Sequence, residues 1–224
     1  MSGDGLAYET FAGSRGELWM MRIGPASAPA ILFVPPLFEE MNRTRALVAA
    51  TMRELAARGF GCWLPDLTGT GESEAPLGEA SWRDWRHDVA SAASRVAEAG
   101  GGPPLLAALR GGALIDDAAA ANGRWRLAPV EGAKLVRDME RAGFGGGEWA
   151  GYAPSPDVQG GLADAVPASS PPLRVMRLAS DPAEADIKVE GPALWRRSEP
   201  GNSPELAAAM AADLALWHAT CAAS

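Results

Sequence analysis

Residues 105–115 read LLAALRGGALI, an apolar run that meets an arginine and two glycines before turning apolar again. A strand that turns sharply into a helix is where hydrolytic enzymes expose a nucleophile. Ala108 and Gly112 suit the flanks of such a turn, because a larger side chain would collide with the crossing backbone. The residue at the tip is Arg110, whose guanidinium stays protonated and cannot attack. The stretch Gly71-Glu72-Ser73-Glu74-Ala75 resembles a serine nucleophile motif, but no apolar strand runs directly into it and no helix directly follows. We therefore expect a tight loop with the Ser73 hydroxyl bonded to backbone. A hydrolytic triad also needs a carboxylate and an imidazole on strand-end loops. Asp181 in LASDPAE stands where the acid would be, whereas RRSEPGNS, where the imidazole would be, has no histidine. His87 and His218 both fall on helical patterns away from such loops, so two of the three triad groups are missing.

The elements that must position these residues alternate between strand and helix. AYETFAG (7–13) and GELWMMRIG (16–24) read as an initial hairpin around Ser14-Arg15-Gly16. Solid apolar runs at APAILFVPP (28–36), FGCWLPDL (60–67) and PPLLAAL (103–109) read as strands buried on both faces, followed by WRLAPV (125–130), LRVMRLAS (173–180) and DIKVEGPALW (186–195). Between them, helical spacing predicts helices over TRALVAATMRELAARG (44–59), stopping at Gly59, and over SWRDWRHDVASAASRVAEAGGG (81–102), capped by Ser81. In the second, Trp82, Trp85, Val89 and Val96 share the buried face and the charges lie opposite. GALIDDAAAANG (112–123), AKLVRDMERAGF (133–144) and SPELAAAMAADLALWHAT (203–220) read as three more, the last burying Leu206, Met210, Leu214 and Trp217. Residues 144–171, rich in Gly and Pro, read as a surface excursion. The expectation is one α/β domain over residues 1–224, a mostly parallel sheet with helices on both faces.

Composition narrows the function classes. The 224 residues are 47% hydrophobic and 21% charged, an ordinary globular balance, and the formal net charge is −8. With no basic stripe, a nucleic-acid partner is not expected. Cys62 and Cys221 show no metal or redox spacing, and Gly69-Thr70-Gly71 lacks the third glycine and the distant acid of a dinucleotide site, so neither metal nor cofactor is expected. No apolar run approaches the roughly 20 residues that span a bilayer, and the N-terminus has no leader pattern, so the expected location is the cytoplasm.

FVPPLFEEMNRTR, LPDLTGTGES and SWRDWRHDV together resemble the α/β-hydrolase-fold group named exosortase A system-associated hydrolase type 2. The later stretches LRGGALI, LAPVEGAKLVRDM, EWAGYAPSP and GPALWRRSEPG agree, so the likeness runs from about Leu32 to the final helix. The resemblance implies an α/β-hydrolase fold encoded beside exopolysaccharide synthesis and the sorting of PEP-CTERM proteins, with arginine at the elbow as a family feature. The chain is short between Phe144 and Pro171, which implies a reduced or absent cap.

In that fold PPLFEEMNR would lie across from the elbow, making Leu37, Glu39, Glu40, Asn42, Arg43 and Arg45 neighbours of Arg110 and Gly111. Two readings stay open. Arg110, at a helix N-terminus, could with Asn42 hold the phosphate, carboxylate or sulfate of a glycan or lipid intermediate. Alternatively, Glu39 or Glu40 pairs with Arg110 bidentately and fixes the loop. Three function classes follow: a degenerate hydrolase that binds an anionic ligand, a hydrolase acting without serine through Asp181, Glu39 or Glu40, and an interaction subunit with a protein partner or a second copy of the chain.

Overall fold

The computed structural model describes residues 5–142, 149 and 151–223. Strands β1 (Ala7–Gly13) and β2 (Gly16–Ile23) form the expected hairpin, with Phe11 opposite Leu18 and Gly13 opposite Gly16. β2 continues antiparallel onto β4 (Gly61–Pro65). From there the ladder is parallel through β3 (Ala30–Val34), β5 (Leu105–Leu109), β6 (Gly123–Leu127), β7 (Leu173–Leu178) and β8 (Ile187–Val189). Among the described residues the eight strands run in the order β1-β2-β4-β3-β5-β6-β7-β8. The chain steps back once, to place β4 outside β3, and then builds outward in the other direction from β5. A parallel sheet needs a covered crossover at each step, which is why helices flank it on both sides.

Every residue of β3 and β5 is buried, as their unbroken apolar sequence requires. The two-residue period of a strand sends Ile31 and Phe33 to one face and Leu32 and Val34 to the other. The first set meets Leu47, Met52 and Leu55 of α1 (Glu39–Ala57) and Leu206, Met210 and Leu214 of α5 (Pro204–Ala222). The second meets Trp85, Val89 and Val96 of α2 (Trp82–Gly100), Leu135 of α3 (Gly132–Ala142), and Val158 and Leu162 of α4 (Pro156–Asp164). Each fully buried side chain of this size contributes about 1.5–3 kcal/mol of gross transfer energy. Ser81 caps α2 as expected, in a reciprocal box: its hydroxyl accepts from the Asp84 N–H and the Asp84 carboxylate accepts from its own N–H.

Several expectations are corrected. The first long helix starts at Glu39 rather than Thr44, so half of the PPLFEEMNR segment is its first turn. GALIDDAAAANG forms no α-helix; short 3-10 turns at Arg110–Leu114 and Asp116–Ala118 replace it. The cause is tertiary: Arg124 takes the carbonyls of Asp116 and Ala119, and Arg126 grips both oxygens of the fully buried Asp116 at 2.7 Å. DIKVEGPALW is strand only at Ile187–Val189, because Gly191-Pro192 ends it and Leu194–Arg196 coils into a 3-10 turn. Residues 144–148 and 150 of the predicted excursion lie outside the described residues. The rest of it carries α4, whose Gly161 lets Trp82 lie flat against the helix and whose Leu162 carbonyl sits over Gly132 of α3. Among the described residues nothing forms a cap over the sheet. Trp85 is buried, whereas Trp82 is only half-buried.

The charges of α2 do not all face outward. Asp88 is fully buried, and its two oxygens accept the N–H groups of Ser14, at 2.7 Å, and Thr68, at 2.8 Å. One carboxylate thus ties the hairpin turn to the loop after β4. Each buried N–H left without a partner costs about 1–3 kcal/mol. Replacing Asp88 with alanine should therefore lower unfolding stability by at least about 2 kcal/mol, read as a fall in urea midpoint at unchanged slope.

Candidate functional site

β5 ends at Leu109, and Arg110 turns the chain with φ of 51°, in the left-handed region that a non-glycine residue enters only under constraint. The space around the turn explains its small neighbours. A Cβ on Gly112 would stand 2.6 Å from the Val34 carbonyl oxygen and 2.7 Å from that of Pro35. A Cβ on Gly111 would stand 2.8 Å from Leu135 Cδ2 and 3.2 Å from Leu37 Cγ. The backbone of an elbow is present. The helix that would follow it is not, because the 3-10 turn at Arg110–Leu114 spans only five residues. The expected reinforcement of Arg110 by a helix dipole therefore falls away.

Arg110 is 5% exposed, and each of its three guanidinium nitrogens donates a hydrogen bond. Nε donates to Glu40 Oε1 at 3.1 Å and Oε2 at 3.3 Å, Nη2 donates to Oε1 at 2.9 Å, and Nη1 donates to the Ala128 carbonyl at 3.2 Å. The guanidinium carbon lies 5.1 Å from the centre of the Trp195 ring. Of the two readings of Arg110, the structure contains the internal pair, and Glu40 rather than Glu39 makes it. Burial pushes the Glu40 carboxyl above the usual carboxylate range, with the guanidinium pulling the other way.

Above the pair opens a cavity of about 300 Å³. Its charged lining is four cations, Arg43, Arg110, Lys134 and Arg196, and three carboxylates, Glu39, Glu40 and Asp138. Leu37 and Trp195 supply apolar wall. Lys134 pairs with Asp138 at 3.0 Å. Arg43 donates through Nη1 to the Trp195 carbonyl at 3.1 Å, and its Nε stands 3.6 Å from Glu39 Oε1, an ion pair too long to be a hydrogen bond. Among the described residues, two buried side-chain nitrogens lack an acceptor, Arg43 Nε and Trp195 Nε1, and both belong to residues lining this cavity. No serine, cysteine or histidine is among the lining residues.

The other sequence candidates go elsewhere. Asn42 donates to the Tyr152 hydroxyl at 2.9 Å and to Glu39 at 3.3 Å, and with Arg45 it lines a second cavity. Tyr152 and Trp149 pack edge-on against Phe38, the residue that precedes α1. Ser73 is the backbone anchor expected of it, its hydroxyl accepting from the N–H groups of Gly69 and Ala75. His87 is exposed, and His218 is half-buried against the Phe60 ring, with burial pushing its pKa down. Asp181 follows β7 as the triad acid would, but lines neither cavity. Burial works to raise its carboxyl, and the Ala183 N–H and the Arg177 guanidinium, at 2.8 Å, outweigh it and hold it below the usual aspartate range. Lys134, Asp138, Trp195 and Arg196 escaped sequence reasoning. The Arg196-Arg197 doublet in RRSEPGNS is the local sequence signal for the last of these.

Solved structures share this architecture. A candidate hydrolase from Agrobacterium vitis S4 aligns over 95% of this chain and 98% of its own, with a TM-score of 0.62 and 12% identity. A serine hydrolase without a lid from Xanthomonas campestris aligns over 97% of both chains, with a TM-score of 0.58 and 16% identity. A thermophilic esterase from Thermogutta terrifontis, with malate bound, aligns over 95% of this chain and 99% of its own, with a TM-score of 0.59 and 17% identity. The chain thus has the α/β-hydrolase fold, with Arg110 at the turn after β5. No family model matches the chain, and no curated protein sequence does.

Two outcomes follow. Removing one member of the Arg110–Glu40 pair strands a buried charge, so Arg110→Ala or Glu40→Ala should each cost about 3–5 kcal/mol, and Arg110→Met with Glu40→Leu should cost less than either in chemical denaturation. The Asp181 carboxyl, depressed in the folded chain, contributes stability above its unfolded pKa that is lost as pH falls through the folded one. NMR titration should find it below the ordinary aspartate value, and Arg177→Ala should move it up.

Proposed function

We propose that this chain is a hydrolase-fold protein that does not perform serine hydrolysis and instead binds an anionic ligand in the cleft above Arg110. The observation that carries this reading is the contrast within the cleft. The elbow side chain is held by a carboxylate and a carbonyl of its own chain, while Arg43 Nε and Trp195 Nε1 are buried donors without a hydrogen-bond partner, Arg43 Nε lying 3.6 Å from a Glu39 carboxylate oxygen. A buried donor without a partner is costly, and a ligand oxygen would relieve it. Arg196, exposed at the rim, adds a cation that among the described residues makes no ion pair. The anion is therefore held by Arg43, Trp195 and Arg196, with Arg110 as a fixed floor.

The sequence resemblance supports a ligand drawn from exopolysaccharide assembly in the cytoplasm, a glycan or lipid intermediate bearing phosphate or carboxylate. The malate in the esterase from T. terrifontis makes a small dicarboxylate a sensible first probe.

Calorimetric titration with malate and with inorganic phosphate tests the reading. One of the two should bind once per chain, and Arg43→Gln and Arg196→Gln should each weaken it about tenfold, the loss of one charge-assisted hydrogen bond. Neither the native chain nor Arg110→Ser should turn over short p-nitrophenyl esters. Turnover by the native chain that Glu40→Gln abolishes, with the fold intact by circular dichroism, would establish the rival reading in which Glu40 activates water.

A further inference from the structure

The larger cavity lies away from the elbow, between the outer face of the β1–β2 hairpin and the first turns of α1, and encloses about 580 Å³. That volume is within the range of sites that take small organic ligands. It arises because the hairpin extends the sheet past the area α1 covers. Tyr8 and Met21 are cross-strand partners, Met21 in turn faces Leu64 of β4, and Trp19 lies two residues before Met21 on the same face. Pro35, Pro36, Met41 and Val48 form the opposite wall. Tyr8 is 62% exposed and Trp19 45%, so the aromatic surface is open to a ligand rather than filled by the chain's own core.

One cation borders this surface. Arg45, exposed on α1, makes no hydrogen bond and no ion pair within 4 Å among the described residues. Two carboxylates stand nearby, and neither neutralises it by contact. Asp66 is turned beneath Gly71 and accepts the Glu72 N–H at 2.9 Å; burial pushes its carboxyl up, and Arg45 acts on it only through space. Glu72 is exposed at the rim. Asn42, also lining the cavity, offers an amide beside the cation.

We infer that this cavity is a second binding site, separate from the cleft, for a flat apolar ring system bearing one acidic group. The rings stack against Trp19 and Tyr8 between the hairpin and the prolines, and the carboxylate or sulfonate pairs with Arg45. The ligand class follows from the wall: aromatic and thioether surface selects a polarizable planar body, and an uncommitted guanidinium selects an anion at one end.

The probe is 8-anilinonaphthalene-1-sulfonate, with uncharged N-phenyl-1-naphthylamine as its comparison. The folded chain should bind one anionic probe, with blue-shifted emission and energy transfer from tryptophan. The uncharged analogue should bind about tenfold more weakly. Arg45→Gln should remove that difference by weakening the anion alone about tenfold, Trp19→Ala should weaken both, and Arg196→Gln, which alters the other cleft, should change neither. All three substituted positions are exposed, so the variants should fold, and circular dichroism checks it. The inference is overturned by no binding, by binding unaffected by Arg45→Gln, or by binding that Arg196→Gln abolishes.

Discussion

A guanidinium buried where β5 ends must be neutralised, because an uncompensated charge at that depth costs several kcal/mol. Much of the surrounding geometry answers that need. The Glu40 carboxylate reaches Arg110 because α1 begins at Glu39, immediately after Phe38 turns the chain with φ of 56°. The Ala128 carbonyl reaches it because Ala128 is itself left-handed, with φ of 46°. Three non-glycine residues with positive φ, in the turns after the neighbouring strands β3, β5 and β6, thus belong to one arrangement: two of them aim groups at the side chain of the third. The backbone strain is offset by hydrogen bonds formed out of water, where they are strongest.

The same pair decides what the cleft can do. The Glu40 carboxylate is held by two guanidinium nitrogens, with Oε1 accepting twice, and a guanidinium facing that carboxylate has little charge left for a second anion. On the reading proposed above, recognition falls to the next ring of residues, in which Arg43 and Trp195 hold one another through a single hydrogen bond and each keep a donor nitrogen without a hydrogen-bond partner. The second cavity depends on a different constraint, the hairpin that carries the sheet beyond its helical cover. The two cavities meet α1 on opposite sides of its first turns, with Glu39 bordering one and Asn42 the other.

The sheet was legible in the sequence wherever burial on both faces left a solid apolar run, as at Ile31–Val34 and Leu105–Leu109. Helix ends were legible where a cap has a chemical signature, as at Ser81 and Gly59. The elbow was legible from Ala108, Gly111 and Gly112, because only small residues tolerate the approach of Val34 and Pro35. What stayed hidden depended on partners far away in the chain. Residues 112–123 carry good helix formers, yet Arg124 and Arg126 capture their carbonyls and Asp116. Asp88 has a helical position that reads as surface, yet it serves two backbone N–H groups from other elements. Lys134 and Asp138 reach the cleft from α3 and Trp195 and Arg196 from the 3-10 turn after β8, and no local spacing announces that.

The buried and partly buried arginine pairs also bear on heat. Arg110 with Glu40, Arg126 with Asp116, and Arg174 with Asp213, whose carboxylate also accepts the Trp125 indole N–H, are all anchored on or beside β5, β6 and β7. The hydration that charged groups give up on burial becomes less favourable as temperature rises, so the penalty for holding such pairs dry shrinks on warming, while the gain from apolar burial levels off. This half of the sheet therefore carries a share of its stability that is spared as the molecule warms, whereas the ion pairs of the hairpin half, Arg22 with Glu9 and Arg15 with Asp84, are wetter than those of Arg110 and Arg126 and give up less hydration on folding.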